Sequence, residues 1–185
     1  WFVQAGLGMS LVNPYGTNIK NVFPNGNTLG VNFGVGKWFS PAAGVRGGVN
    51  WQNGIVVNHH ASYIDPAEDS GGDPDKNNYI ALYADMFFNL HNMIGDRDES
   101  RKWNAIIYPR MGLAKNFASS YEECPLVGFG TEQTYKINDK LKLYADVSYQ
   151  VTTGGFLDTK FDTGRTGSNG WFDINVGVQY ELGKK

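Results

Sequence analysis

The 185 residues suit a single domain over 1–185, with 18% charged, 41% apolar and 14% aromatic side chains. The formal charge of −2 gives no electrostatic reason to expect nucleic acid as a partner, and one cysteine excludes an internal disulfide and a Cys-rich zinc site. No apolar run reaches the ~18 residues of a membrane helix, but a membrane β-strand needs only alternating apolar residues, so this leaves strand-based spanning open.

Period-two alternation marks eight candidate strands in chain order. The first, "WFVQAGLGMSLV" (1–12), puts Trp1, Val3, Ala5, Leu7, Met9 and Leu11 on one face and Gln4, Gly6, Gly8 and Ser10 on the other. The second, "NTLGVNFGVGKWF" (27–39), sets Leu29, Val31, Phe33 and Val35 against Gly30, Asn32, Gly34 and Gly36. The third, "AGVRGGVNW" (43–51), sets Val45, Val49 and Trp51 against Arg46, Gly48 and Asn50. The fourth, "NYIALYADMFFNL" (78–90), sets Ile80, Leu82, Ala84, Met86, Phe88 and Leu90 against Tyr83, Asp85, Phe87 and Asn89.

The fifth, "WNAIIYPRMGLA" (103–114), has Trp103, Ala105, Ile107, Met111 and Leu113 opposite Asn104, Tyr108, Arg110 and Gly112. The sixth, "LVGFGTEQTYKI" (126–137), has Val127, Phe129, Tyr135 and Ile137 opposite Gly128, Gly130, Glu132 and Lys136. The seventh, "LKLYADVSYQV" (141–151), alternates without a break. The eighth, "WFDINVGVQYEL" (171–182), has Phe172, Ile174, Val176, Val178, Tyr180 and Leu182 opposite Asp173, Asn175, Gly177, Gln179 and Glu181.

Connections alternate in length. Segments 13–26, 52–77, 115–125 and 152–170 are long; 40–42 and 138–140 are short, and 91–102 is the exception at that end. Long loops at one end and short turns at the other fit an outer-membrane barrel. The polar faces are rich in glycine, which weakens a water-facing strand but suits a narrow eight-stranded lumen. Their charges nearly balance, so a buried paired network is expected from Arg46, Asp85, Arg110, Glu132, Lys136, Lys142, Asp146, Asp173 and Glu181. Aromatics near the ends of the apolar faces, Trp1, Trp51, Trp103, Tyr135, Tyr149, Phe172 and Tyr180, are expected to form the two interfacial girdles. The expected fold is an all-β, eight-stranded antiparallel up-and-down transmembrane barrel, its bore filled by side chains such as Tyr83, Phe87, Tyr108 and Tyr144.

Some residues resist. Thr131 and Gln133 fall on the lipid face. Pro109 interrupts strand five, which calls for a bulge or a local change of parity. Lys37 falls on the lipid face near a turn, where it can snorkel. Cys124 reads as a loose thiol in a loop.

The stretch "LGVNFGVGKWFSPAAGVRGGVNW" (29–51) resembles strands two and three of OmpA-like outer-membrane barrels, and "WFVQAGLGMSL" and "FDINVGVQYEL" resemble the family's first and last strands. The resemblance implies both termini in the periplasm, the outer membrane of a Gram-negative bacterium, and contact with outer-membrane lipid and lipopolysaccharide. Many such proteins continue into a peptidoglycan-gripping domain or sit beside other outer-membrane proteins. This chain holds no such domain, and its last aromatic, Tyr180, stands five residues from the end, which leaves two alternatives: a natural chain that continues past Lys185, or one that ends here. The start at Trp1 reads as a mature or trimmed product.

No catalytic set is strong. "NHHASYID" (58–65) gathers His59, His60, Ser62 and Asp65, and "DPAEDSGGDPDKNN" (65–78) gathers acids without the EF-hand spacing, so both read as polar loop. No cofactor, no metal and no enzymatic activity are expected. The alternative is a soluble lipocalin-like carrier whose apolar faces enclose a lipophilic ligand.

Overall fold

The computed structural model describes residues 1–13, 29–56, 76–95, 101–117, 123–153 and 168–183. Eight strands close into one barrel in sequence order: β1 (Phe2–Asn13), β2 (Leu29–Trp38), β3 (Ala43–Val56), β4 (Lys76–Asn89), β5 (Trp103–Asn116), β6 (Cys124–Lys136), β7 (Leu141–Thr153) and β8 (Ser168–Glu181). Every neighbouring pair is antiparallel, and β1 pairs with β8 from Phe2↔Glu181 to Asn13↔Gly170. Closure leaves no strand with an open edge.

The parity read from the sequence holds around the whole wall, with the ordinary burial rule inverted. Phe33 is 55% exposed, Met111 68% and Phe129 67%, while Arg46 is 1% exposed and Glu132 0%. The lipocalin-like alternative needs apolar faces inside; the inward residues instead include Gln4, Asn32, Asn50, Arg110 and Asp146.

Pro109 needs neither a bulge nor a change of parity. It points outward between inward-facing Tyr108 and Arg110 and pairs with Phe129 on β6. On the β4 side the ladder skips from Asp85↔Arg110 to Phe88↔Ile107 with the register unchanged. The missing N–H is thus absorbed by a local gap in one ladder. The register shift of this wall lies elsewhere, between Gln52 and Ile55 of β3.

The short turns are built by side chains. Ser40 Oγ accepts from the backbone N–H groups of Ala42 and Ala43 at 3.2 and 3.0 Å, and Asn138 Oδ1 accepts from those of Lys140 and Leu141, both at 2.9 Å. The longer 91–102 connection contains helix α1 (Leu90–Ile94), capped by Asn89, whose side chain accepts from Asn92 N. Asn92 Nδ2 donates to Pro41 O at 2.8 Å and His91 Nδ1 accepts from Ala105 N at 3.2 Å, which ties the helix to the barrel rim.

Glycine placement yields a paired prediction. A Cβ on Gly48 would stand 2.5 Å from the Tyr83 ring and 2.6 Å from Phe33 O, whereas one on the outward Gly47 would meet nothing nearer than 3.9 Å. Gly48→Val should therefore lose about 1–3 kcal/mol to overpacking. Gly47→Val should fold like the parent. Mobility of unboiled samples in SDS gels reads the folded fraction of each.

Candidate functional site

Two aromatic plugs bracket the bore. At the short-turn end Phe2, Phe87, Ile106 and Tyr108 pack together with Trp38 against them, Phe2 and Phe87 stacked at 6.0 Å. At the long-loop end Tyr79, Ala81, Tyr83, Ala114, Cys124, Leu126 and Trp171 form the second cluster. Cys124 is therefore not a loose loop thiol. As first residue of β6 it points inward and is 6% exposed, and it packs as a small apolar group.

Between the plugs lies a charged cluster. The Arg46 guanidinium donates from Nε and Nη2 to Asp85 Oδ2 at 2.8 and 2.5 Å, and from Nη1 to Glu132 Oε2 at 2.6 Å and Gln4 Oε1 at 2.7 Å. Its Nη2 also reaches Asp146 Oδ2 at 3.4 Å. Arg110 holds the other side of Asp85, with Nε to Oδ1 at 2.7 Å and Nη2 to Oδ2 at 2.9 Å. Asp85 thus sits between two forked donors. Tyr108 OH donates to Asp146 Oδ2 at 2.5 Å, and Gln4 Nε2 links Glu132 at 2.9 Å to Gln179 at 2.8 Å.

The aromatic groups sandwich the cations. The Arg46 guanidinium lies 4.6 Å from the Phe87 ring centroid, and that of Arg110 lies 3.8 Å from the Tyr83 ring. Desolvated contacts of this kind add cation–π attraction to the ion pairs.

The nine charged residues singled out from the sequence do not form one network. Arg46, Asp85, Arg110, Glu132 and Asp146 form the central cluster. Lys142 pairs with Glu181 at 2.6 Å at the rim, and Lys136 turns to Asp139 at 2.7 Å across the short hairpin. Among the described residues Asp173 pairs with no arginine: it accepts from Ser10, Tyr79, Asn50 and Gln150 instead. Inward position is set by strand parity, but which charges meet is set by height in the bore.

Sequence reading missed the inward Phe2, Tyr79, Ile106, Leu126 and Trp171; it placed Gln4, Asn50 and Gln179 on the inner face but did not foresee that these amides bond the buried carboxylates. Even parity alone would have found Trp171, since it neighbours outward Phe172.

On the outer wall the girdle candidates separate by end. Trp1, Trp103, Tyr135 and Tyr180 lie towards the short turns, 63%, 50%, 49% and 43% exposed. Trp51, Tyr149 and Phe172 lie towards the long loops, Tyr149 packing 4.7 Å from Phe172 and 6.3 Å from Phe129. Thr131 and Gln133 do face outward, but Thr131 Oγ1 donates to Ile106 O at 3.1 Å and accepts from Gln133 Nε2 at 3.1 Å. The His59–Asp65 stretch and the acids of 65–75 lie outside the described residues. Among the described residues no three His, Cys, Asp or Glu gather into a metal site, and no helix is long and apolar enough to cross a membrane.

A closed eight-stranded barrel with charges inside and apolar residues outside is the fold of the transmembrane β-barrels of outer membranes. Solved structures agree. Neisserial surface protein A is similar over 98% of this chain and 96% of its own, with a TM-score of 0.59 at 11% identity. The attachment invasion locus protein Ail of Yersinia pestis is similar over 97% and 95%, with a TM-score of 0.52 at 16% identity. OprG of Pseudomonas aeruginosa is similar over 97% and 93%, with a TM-score of 0.51 at 9% identity. No family model and no curated protein sequence matches the chain.

The central cluster generates a ranked stability prediction. Arg46→Met strips donors from Asp85, Glu132 and Asp146 at once and should cost about 3–5 kcal/mol, as for a broken buried pair. Arg110→Met leaves Asp85 its Arg46 partner and should cost less. Lys142→Gln removes a pair that is 19% and 8% exposed and should cost about 1 kcal/mol or less. Urea unfolding in lipid vesicles, followed by gel mobility, gives the three midpoints.

Proposed function

We propose that this chain is a non-enzymatic structural barrel resident in the outer membrane of a Gram-negative bacterium, anchored there by its wall and presenting its long connections outside. The observation that carries the reading is the outer wall itself. Soluble monomers rarely expose an apolar patch beyond a few hundred Å². Here the outward positions of all eight strands are mostly apolar, exposed or half-exposed, from Leu7 and Phe33 to Met111 and Val176. Lipid is the solvent in which that surface is stable, and closure satisfies the backbone where no water can.

The two aromatic groups then serve as girdles at the two interfaces, with Lys37 reaching the headgroup layer. The bore works as a stiffener rather than a channel: both ends are stopped by aromatic clusters and the middle by ion pairs. Outer-membrane lipid and lipopolysaccharide are the immediate surroundings. Peptidoglycan linkage belongs to a domain that an OmpA-type full-length protein would add, and neighbouring outer-membrane proteins are further candidates for contact with the loops.

The test is folding from urea into detergent micelles, with boiled and unboiled samples compared in SDS gels and far-ultraviolet circular dichroism. A mobility shift with β-rich dichroism only in the presence of detergent is expected. A folded monomer in plain buffer without a shift would sink the membrane reading. Reconstituted bilayers should show no stable conductance steps; an open channel of constant conductance would contradict the plugged bore.

A further inference from the structure

We infer that the β1–β4 wall carries a site for one anionic glycerophospholipid, with its headgroup phosphate on Lys37 and an acyl chain in the groove centred on Gly47. The inference rests on the reading that this wall faces lipid. Three observations meet at this place.

The first is shape. Gly47 is an outward-facing residue with no side chain, set between Val35 of β2 and Ala84 of β4. A shallow apolar groove results, lined on its outer side by Val3, Phe33, Val35, Val49 and Leu82. The space is real, because a Cβ added at Gly47 would find its nearest neighbour at 3.9 Å.

The second is a cation at the end of that groove. Lys37 follows Val35 by two residues on the same face, about 7 Å along the strand. Its Nζ lies 5.4 Å from the Trp1 ring centroid and 5.9 Å from the Phe39 ring. Three lysines near the rims are each held by a carboxylate: Lys136 by Asp139, Lys142 by Glu181 and, at the opposite end, Lys115 by Glu123. Among the described residues no carboxylate pairs with Lys37. A phosphate is the anion that would stand at this depth, between two aromatic rings that hold the ammonium at the interface.

The third is the charge of the two ends. The short turns, with the rim residues beside them and the C-terminal segment, carry nine Lys and Arg against five Asp and Glu. The long connections carry five against nine. A headgroup of net negative charge is therefore favoured at the Lys37 end and repelled at the other. In a barrel of this class the short turns face the phospholipid leaflet, which selects a glycerophospholipid over lipid A.

The experiment uses the full chain folded into vesicles of equimolar phosphatidylglycerol and phosphatidylcholine, extracted into mild non-ionic detergent, with retained lipids counted by native mass spectrometry. Phosphatidylglycerol adducts should exceed phosphatidylcholine adducts by about fivefold, the attraction expected of one interfacial lysine. Lys37→Arg should keep that excess and Lys37→Gln should bring the ratio to parity. Gly47→Leu should cut adducts of both lipids by filling the groove. Parity in the parent chain, or an excess that survives both Lys37→Gln and Gly47→Leu, overturns the site. Displacement of phosphatidylglycerol by an equal amount of lipid A would overturn the assignment to phospholipid. Every variant is also run unboiled in SDS, so loss of the barrel registers separately from loss of the lipid.

Discussion

The pairing of β1 with β8 is the constraint on which the rest depends. In a hydrocarbon surrounding every backbone N–H and C=O must find a partner within the protein, and only closure supplies the last row. With eight strands, closure also fixes the bore at a width that side chains just fill. Everything on the inner wall then follows from shortage of space. Glycine faces the large inward groups, as Gly48 and Gly130 do beneath the rings of Tyr83 and Tyr108. Tyrosine and arginine occupy the room so released.

A bore filled with polar groups carries an obligation that an apolar core does not. Each charge removed from water must meet a partner. The forked guanidinium answers this better than an ammonium would, because Arg46 can serve Asp85, Glu132, Asp146 and Gln4 from one plane. The lysines, by contrast, stay at the rims, where water still reaches them: Lys136 and Lys142 are 26% and 19% exposed. The division between arginine in the middle and lysine at the ends is a direct consequence of hydration strength.

Much of this was legible in the sequence. Period-two alternation is a strong signal when both faces are chemically distinct, so strand number, order and parity came through, with bounds off by a few residues at the long-loop ends of β3 and β8. The charge pairings were less legible because they depend on height, not on parity. Asp146 and Asp173 both face inward, yet one meets an arginine and the other hydroxyls and amides. Cys124 looked like loop because the strand pattern before Leu126 is short and broken by Pro125, which lies on the outward side. Pro109 looked like a defect because a single sequence does not tell which of two ladders will lose a bond. Helix α1 is only five residues long, too short for a helical period to show.

The closing seam also sets the order of events before the barrel exists. Gln4 meets Gln179 across nearly the full length of the chain, whereas every other strand pairs with a neighbour close in sequence. Hairpins can form early and locally; the seam cannot, because contacts of high sequence separation are slow to form. Until it forms, β1 and β8 each present a row of free backbone groups beside an apolar face, the arrangement most prone to join the wrong partner. Those two edges are therefore where an unfinished barrel is open to its own copies, and the final registration of Phe2 against Glu181 is the moment at which that exposure ends.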